Sequence, residues 1–284
     1  MKHLVCPTAF KGTFSPLEAA QRLAGEGDDL LPLSDGGDGF LECLHHALGG
    51  LLHTLPAPDP FGRMRDVPWL ELPDGTACLE SARIIGLAGL DRLDPLYASS
   101  QGLGLALRAL SSSPAIWVGL GGTATVDGGR DWPDFDLPPT RAFCDVLTEL
   151  KDAARIFGPQ KGARPEDIPE LTQRLLSLGL PTGPRTGCAG GLGAKLASLG
   201  AELVDGATAI LEVTSFEQRA NRCDAVLTGE GRLDASTLEG KLPLVVARRA
   251  KALGLKAIGH FGCKGEGWER AAEYFDEVRF GLQP

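Results

Sequence analysis

The sequence predicts an α/β fold built on a parallel sheet, and three observations support that prediction. A short apolar run, HLVC at 3–6, leads through a glycine-containing loop into a helical pattern. The same order returns near the C-terminus, where an apolar run at 225–227 leads through the turn TGEGRLD into a second helical pattern. A further apolar run, KAIGHFG at 256–262, follows that helix. Strand, helix and strand in this order imply parallel strands joined by a right-handed crossover.

The first helix has a complete set of start signals. Ser15 can accept at the helix N-terminus, Pro16 suits the first helical position, and Glu18 completes a capping box. One face of this helix then carries Leu17, Ala20, Leu23 and Ala24, and Gly25 is expected to end the helix.

The rest of the chain shows the same alternation. The predicted elements are a strand and loop at 115–122, an irregular connection with three prolines at 131–141, a helix at 164–179, a glycine-rich loop opening a helix at 190–200, and a helix from 242 that Gly254 ends.

Composition excludes several classes of function. The net charge is −9, so the overall field does not favour nucleic acid or an anionic membrane surface. No apolar run is long enough to span a membrane. The seven cysteines are scattered and contain no C-x-x-C pair, which is typical of buried free thiols in a reducing compartment. A cytoplasmic protein is therefore expected.

Glycine and acidic residues cluster where strands are predicted to end. The clusters are FKG at 10–12, SDGGDG at 34–39, GLGGTATVDGG at 119–129, TGEGRLD at 228–234 and GGLG at 190–193, and all except FKG and GGLG combine glycine with Asp or Glu. Parallel sheets bind ligands at the C-terminal ends of their strands. Carboxylates suit Mg²⁺, and free backbone amides suit phosphate. Any one cluster could instead be a plain tight turn, because Asp-Gly is a common turn pair.

Other signatures of phosphate and nucleotide sites fit less well. The P-loop pattern is absent, since Ala235 and Leu242 stand where it needs glycine and a hydroxyl. Gly119, Gly121 and Ala124 match a loose dinucleotide fingerprint, but the residues that follow do not predict a helix. A nicotinamide-dependent oxidoreductase therefore remains a weaker alternative. His260 falls in a strand and is expected to be a hydrogen-bonded core histidine.

Taken together, these motifs resemble the bacterial glycerate kinases of the two-domain α/β type, which phosphorylate D-glycerate with ATP. The resemblance runs nearly end to end and rests on collinear segments: PTAFKGTFS, LPLSDGGDGF, GLGGTATVDGG, IFGPQKGA, GCAGGLGAKLASLGA and LTGEGRLDASTLEGKLPLVVARRAK. Thr8, Ala9 and Val126 depart from the family pattern, and the chain is shorter than other members by tens of residues, mainly near 131–141.

The resemblance implies two unlike α/β domains. One is a Rossmann- or flavodoxin-like parallel sheet built from both chain ends, 1–60 plus 195–284. The other is an inserted α/β domain at 61–194, with the active site in the cleft between them.

The resemblance also suggests roles for individual residues in Mg²⁺-assisted phosphoryl transfer from ATP. Glu230 and Asp234 would hold Mg²⁺, and Lys11 would meet the substrate carboxylate or the transferring phosphoryl group. Asp127 is the first candidate for the base, and Asp38 is the second.

Backbone contacts to the nucleotide phosphates are assigned to five glycines, and Lys241 and Lys161 are weaker candidates for phosphate contacts. The glycines are Gly121, Gly122, Gly190, Gly191 and Gly193.

Two alternatives to this assignment stay open. Glu230 or Asp234 could simply cap the following helix, and Lys11 could be a surface lysine. The departures from the family pattern also leave room for a nucleotide- or phosphate-binding relative that has lost catalysis.

Overall fold

The computed structural model describes residues 1–282, and the chain divides into two compact units. The terminal unit comprises Met1–Asp35, Glu42–Gly49 and the residues from Ala207 onward. The central unit comprises Gly36–Leu41 and Gly50–Gly206. The domain limits expected from the sequence, and the location of a site relative to them, stay a prediction.

Strands and helices alternate along the described residues. The strands are β1 (His3–Pro7), β2 (Asp29–Leu30), β3 (Leu51–Pro58), β4 (Met64–Glu71), β5 (Ala77–Glu80), β6 (Ile116–Leu120), β7 (Thr140–Cys144), β8 (Glu202–Asp205), β9 (Ala225–Gly229), β10 (Arg232–Leu233), β11 (Lys256–Phe261), β12 (Cys263–Lys264) and β13 (Glu277–Phe280). The helices are α1 (Pro16–Leu23), α2 (Phe40–Leu48), α3 (Ser81–Ile85), α4 (Gln101–Ala109), α5 (Ala153–Phe157), α6 (Ile168–Ser177), α7 (Cys188–Ser198), α8 (Gly206–Val213), α9 (Phe216–Ala220), α10 (Leu242–Ala252) and α11 (Trp268–Ala272).

The terminal unit contains a five-stranded, fully parallel sheet in the order β13-β11-β9-β1-β2. Numbered by their own chain order, these strands run 2-1-3-4-5, which is the flavodoxin-like arrangement. The α/β fold class predicted from the sequence is thereby confirmed. In such sheets the ligand site lies where the strand order reverses, here between the C-terminal ends of β1 and β9.

Helix α1 shows how closely local signals are followed. The Ser15 hydroxyl accepts from the Glu18 amide at 3.2 Å, and the Glu18 carboxylate accepts from the Ser15 amide at 2.8 Å, which completes the predicted capping box. The last helical residue is Leu23 and Ala24 is the C-cap, one residue before the expected stop at Gly25. Ala24 leaves the helix in an extended conformation, with φ −73° and ψ 139°, so the exit needs no left-handed glycine.

The central unit contains a six-stranded sheet in the order β3-β4-β5-β6-β7-β8. Only β5 to β8 are parallel, because β3, β4 and β5 pair antiparallel. The C-terminal ends of the parallel strands bring Glu80, Leu120, Cys144 and Asp205 to one edge of this sheet. The loop that follows β6 carries Gly121, Gly122 and Asp127.

The proline-rich connection is irregular, as predicted, but it is packed. Residues 132–138 have no regular structure, and Thr140 and Arg141 already belong to β7, so the connection ends earlier than expected. Trp132 is buried, and its indole N–H donates to the Ser100 carbonyl and hydroxyl oxygens, both at 2.9 Å. No helix follows Ala124 in this loop, which removes the structural basis of the nicotinamide alternative.

Two expectations about single side chains are wrong. Cys263 is exposed, while the other six cysteines are buried free thiols as predicted. His260 lies in β11, but its buried Nε2 has no hydrogen-bond partner within the described part of the chain. Burial, with a smaller contribution from Arg279, lowers the pKa of His260, so the neutral ring is favoured there. Among residues 1–282, no helix is long and apolar enough to cross a membrane.

Candidate active site

The turn after β9 carries two of the candidate residues of the terminal unit, Glu230 and Asp234. Glu230 is largely buried and accepts a 3.0 Å hydrogen bond from the Thr237 hydroxyl. Asp234 caps the 3₁₀ turn Ala235–Glu239 and accepts from the Ser236 amide at 2.9 Å and from the Ser236 hydroxyl. The alternative of a capping role is therefore realised for Asp234, since a free N–H at a helix start is satisfied by its carboxylate.

Lys241 lies between the two carboxylates. Its Nζ is 3.6 Å from a Glu230 oxygen and 3.7 Å from an Asp234 oxygen. Burial raises the pKa of Glu230, against the opposing attraction of Lys241 and the Thr237 hydrogen bond. Burial also acts to raise the pKa of Asp234, but Ser236 and Lys241 outweigh it and the pKa is lowered. Asp234 is thus an anion at neutral pH. The pKa of Glu230 is raised, so a nearby cation would change the protonation of Glu230 more than that of Asp234.

The loop after β1 runs beside this turn. Strands β1 and β9 are paired in register up to Pro7 and Gly229, so the residues that follow them leave the sheet together. A Cβ placed on Gly231 would lie 3.5 Å from Phe10 Cα and 3.6 Å from the Lys11 amide nitrogen. Phe10 is buried and anchors the loop, while Lys11 is exposed. The structure therefore brings Lys11, Glu230, Asp234 and Lys241 to one end of the terminal sheet.

The donor set of this turn limits the kind of metal it could hold. Within residues 1–282, no group of three or more His, Cys, Asp or Glu side chains is arranged to hold a metal ion. Two carboxylates alone suit Mg²⁺ that completes its shell with phosphate oxygens and water, and they do not form a closed protein cage. Glu230 and Asp234 therefore provide an open pair of oxygen donors.

In the central unit, Glu80 holds the segment that carries Asp38. The buried Glu80 carboxylate accepts from the Gly39 amide at 3.2 Å and from the Leu41 amide at 3.1 Å, at the start of α2. Asp38 itself is exposed, and its Oδ1 would lie 3.1 Å from a Cβ placed on Gly122. Asp38 and Gly122 are therefore neighbours, and the sequence analysis did not identify Glu80, which holds the segment that carries Asp38.

The glycine loop after β6 approaches the same segment closely. A Cβ on Gly121 would lie 2.7 Å from Gly37 Cα, and Gly122 has φ +64°. The Ser81 hydroxyl lies 3.2 Å from the Gly121 amide and donates to the Gly121 carbonyl at 3.1 Å. Both glycines are required here, Gly121 for close packing and Gly122 for its left-handed conformation.

Asp127 has a different environment from Asp38. Its Oδ2 accepts from the Ser100 amide at 2.7 Å and from the Ser100 hydroxyl at 2.9 Å, at the start of α4. Burial raises the pKa of Asp127 in spite of these hydrogen bonds. The Asp127 carboxylate therefore stabilises the start of α4, and Oδ2 uses its hydrogen-bonding capacity on Ser100.

The three glycines of α7 pack against the chain itself. A Cβ on Gly190 would lie 2.0 Å from the Thr125 carbonyl oxygen, and one on Gly193 would lie 2.3 Å from the Arg185 carbonyl oxygen. Gly191 has φ +93°, and a Cβ placed on it would lie within 3.1 Å of Leu175, Leu150 and Gly128. Ala189, Gly190 and Gly191 interrupt the helix with left-handed backbone angles. Their contribution to nucleotide binding stays a prediction, while their contribution to packing is explicit.

Lys161 and Asp145 gain importance from the structure. Lys161 belongs to the 3₁₀ turn Pro159–Lys161, yet it is only 3% exposed. Asp145 directly follows β7. Both line a pocket together with Gly121, Gly122 and Thr123. The sequence signal for Asp145 was its place after an apolar strand; the burial of Lys161 had no local signal, because the turn around it is polar.

Comparison with known proteins gives consistent results. A profile described as "Glycerate kinase family" matches residues 3–131 and 139–279. The chain is 30% identical to a glycerate kinase of Halalkalibacterium halodurans, covering 99% of this chain and 90% of that protein. It is 32% identical to a glycerate 2-kinase of Escherichia coli K12, covering 92% and 85%. A crystal structure provisionally assigned as glycerate kinase 2 of Salmonella typhimurium LT2 superimposes with a TM-score of 0.80 at 28% identity, covering 99% and 90%.

Proposed function

The chain belongs to the glycerate kinase family, a family of small-molecule kinases, and we propose that it transfers the γ-phosphoryl group of ATP to a hydroxyl group of D-glycerate or a closely similar hydroxy acid, assisted by Mg²⁺. The observation that supports this most directly is the meeting of the loops after β1 and β9 at the switch point of a flavodoxin-like sheet. That edge is where such folds bind ligands. Here it carries two carboxylates and two lysines, the residue types that phosphoryl transfer requires.

Glu230 and Asp234 are the proposed ligands of the metal. Mg²⁺ bound there would neutralise charge on the phosphate oxygens. Lys241 already contacts both carboxylates, so it screens their repulsion before any cation arrives. With a metal on these carboxylates, Lys241 would be available to contact a phosphate oxygen, which is the role proposed for it from the sequence.

Lys11 is the proposed point charge for the transferring phosphoryl group or the substrate carboxylate. Its exposure leaves the ammonium accessible, and the buried Phe10 fixes the backbone beside Gly231. A lysine on a fixed loop can follow a moving phosphoryl group, because its flexible stem ends in a compact charge.

The base that accepts the hydroxyl proton is proposed from two carboxylates. The contacts support Asp38 ahead of Asp127, reversing the order expected from the sequence. Asp38 is exposed beside Gly122, whereas Asp127 uses Oδ2 to hold Ser100. A base must reach the proton it takes, and an accessible carboxylate meets that condition more easily.

Contacts to the nucleotide phosphates are proposed for the backbone of the five glycines. Gly121 and Gly122 have the stronger support, because they directly follow β6 at the C-terminal edge of the parallel strands and Gly122 is exposed. Gly190, Gly191 and Gly193 are covered by the chain's own atoms. These three are better supported as residues that shape the neighbouring loops.

The experiment is ADP release with Mg²⁺ and ATP, measured with and without D-glycerate and a panel of small hydroxy acids. We expect release that depends on the hydroxy acid and is lost on removing Mg²⁺ with a chelator. A Lys11→Ala variant should lose the release and keep its thermal transition. Nucleotide binding without turnover across the whole panel would contradict the proposal and identify a relative that has lost catalysis.

A further inference from the structure

The central unit has a pocket above the C-terminal ends of β6 and β7. Its polar lining consists of the backbone of Gly121 and Gly122 with the side chains of Thr123, Asp145, Gln160 and Lys161. Apolar side chains complete the wall; they are Leu87, Val146, Phe157 and Ala189. A small concave site with a few convergent polar groups is the usual form of a small-molecule site.

Lys161 is the buried cation of this pocket. Its side chain is almost fully enclosed, at 3% exposed. Nζ donates to the Thr123 hydroxyl at 3.0 Å and to the Thr125 carbonyl at 2.8 Å. An ammonium group has three N–H donors, and both of these acceptors are neutral. One donor direction therefore remains for a ligand.

The groups near Lys161 only partly oppose the effect of burial on its pKa. Burial lowers the pKa of Lys161 to about 8, against the opposing attraction of Cys188, Asp127 and Asp145. A desolvated cation gains stability from an anion placed beside it, because the interaction is poorly screened there. The pocket therefore favours a ligand with negative charge next to Nζ.

We propose that this pocket binds the carboxylate of the hydroxy-acid substrate, with Lys161 Nζ as the donor that recognises it. The assignment rests on the proposed function and extends it. Two features favour a carboxylate over a phosphate: the Asp145 carboxylate lines the same pocket and repels a dianion more strongly than a monoanion, and the apolar wall suits the short carbon chain of a hydroxy acid.

The test is a thermodynamic cycle in which the lysine and the ligand charge are removed separately. Affinities of D-glycerate and of its neutral amide, glyceramide, are measured by calorimetry for the wild type and for Lys161→Met. The wild type should prefer D-glycerate, and the variant should bind it about 10- to 100-fold more weakly with little change for glyceramide. Lys151→Met is the matched control, since Lys151 is exposed and paired with Glu149.

Other outcomes separate the possible errors. Equal losses for both ligands would show that Lys161 only braces the loop, and a loss confined to ATP would show that it recognises phosphate; either result overturns the proposal. D-glycerate binding that Lys161→Met leaves unchanged overturns this inference and leaves the proposed function standing. A wild type that binds no hydroxy acid overturns both.

A second measurement needs no variant and so does not depend on how Lys161→Met folds. As pH rises through about 8, Lys161 loses its proton in the empty pocket. The wild-type affinity for D-glycerate should then fall by up to about tenfold per pH unit, while that for glyceramide stays level. A flat profile for D-glycerate between pH 7 and pH 9.5 would overturn the assignment.

Discussion

The charged residues singled out in the terminal unit and in the central unit differ in how far they are exposed. In the terminal unit, Lys11 is exposed and Lys241 is 37% exposed, beside carboxylates that it contacts across a turn. In the central unit, Lys161 and Glu80 are 3% and 2% exposed, and both hold backbone segments in place. Exposed charges such as those of Lys11 and Lys241 can be removed with little effect on folding. Removing a buried charge such as that of Lys161 or Glu80 should affect both the fold and the chemistry.

The largest effect is expected from the two candidate bases. Asp38→Asn should lower kcat by about 10²- to 10⁴-fold, because the amide cannot accept the proton. Asp127→Asn should lower kcat far less, since an amide oxygen can still accept from Ser100. Steady-state kinetics of the two variants, with melting curves as the folding control, measure this. The reverse ranking would restore Asp127 as the base.

The next effect concerns the metal-binding turn. Asp234→Asn keeps a side chain that can cap the 3₁₀ turn but removes the charge, so kcat should fall by about 10²- to 10³-fold. The free energy of unfolding should change by less than about 1 kcal/mol. Glu239→Gln, an exposed position in the same turn, is the control and should behave as wild type. A normal Mg²⁺ dependence in Asp234→Asn would remove Asp234 from the metal site.

A third effect should appear in stability and not primarily in chemistry. Gly190→Ala would place a Cβ 2.0 Å from the Thr125 carbonyl oxygen at a residue with φ +72°. The strain and the clash should together cost about 3 kcal/mol of unfolding free energy. Gly240→Ala has similar strain, at φ +97°, but no atom within 4 Å, so it should cost only about 1 kcal/mol. Denaturant titrations of both variants measure the difference, and equal losses would show that the contact with Thr125 is not tight.

The smallest effect is a pH dependence of stability. The folded-state pKa of Lys161, about 8, lies below its ordinary value of 10.5, so the unfolded chain binds the proton more tightly. Stability therefore rises as pH increases from about 8 to about 10.5, by about 1 to 3 kcal/mol. The unfolding free energy of the wild type, relative to Lys161→Met, should rise over that window. A constant difference would mean that Lys161 is solvated in the folded protein.

Local sequence signals predicted elements and turns where neighbouring residues decide the conformation. The capping box of Ser15 and Glu18 is formed, and the strands at 225–229 and 256–261 follow their apolar runs. The exit at Ala24 was missed because the chain can leave a helix in an extended conformation as well as through glycine. The antiparallel β3, β4 and β5 were missed for a related reason, since strand direction depends on pairing partners far along the chain.

The sequence by itself determined the α/β class, the family and the group of residue types at the strand ends, because each depends on short patterns or on collinear motifs. Only the tertiary structure decided which of those residues are accessible. Asp38 and Asp127 each sit beside a glycine in similar turns, yet one is exposed and the other holds Ser100. Lys161 lies in a polar turn, yet it is buried against Thr123 and Thr125. Burial is set by segments distant in sequence, so no local pattern could reveal it.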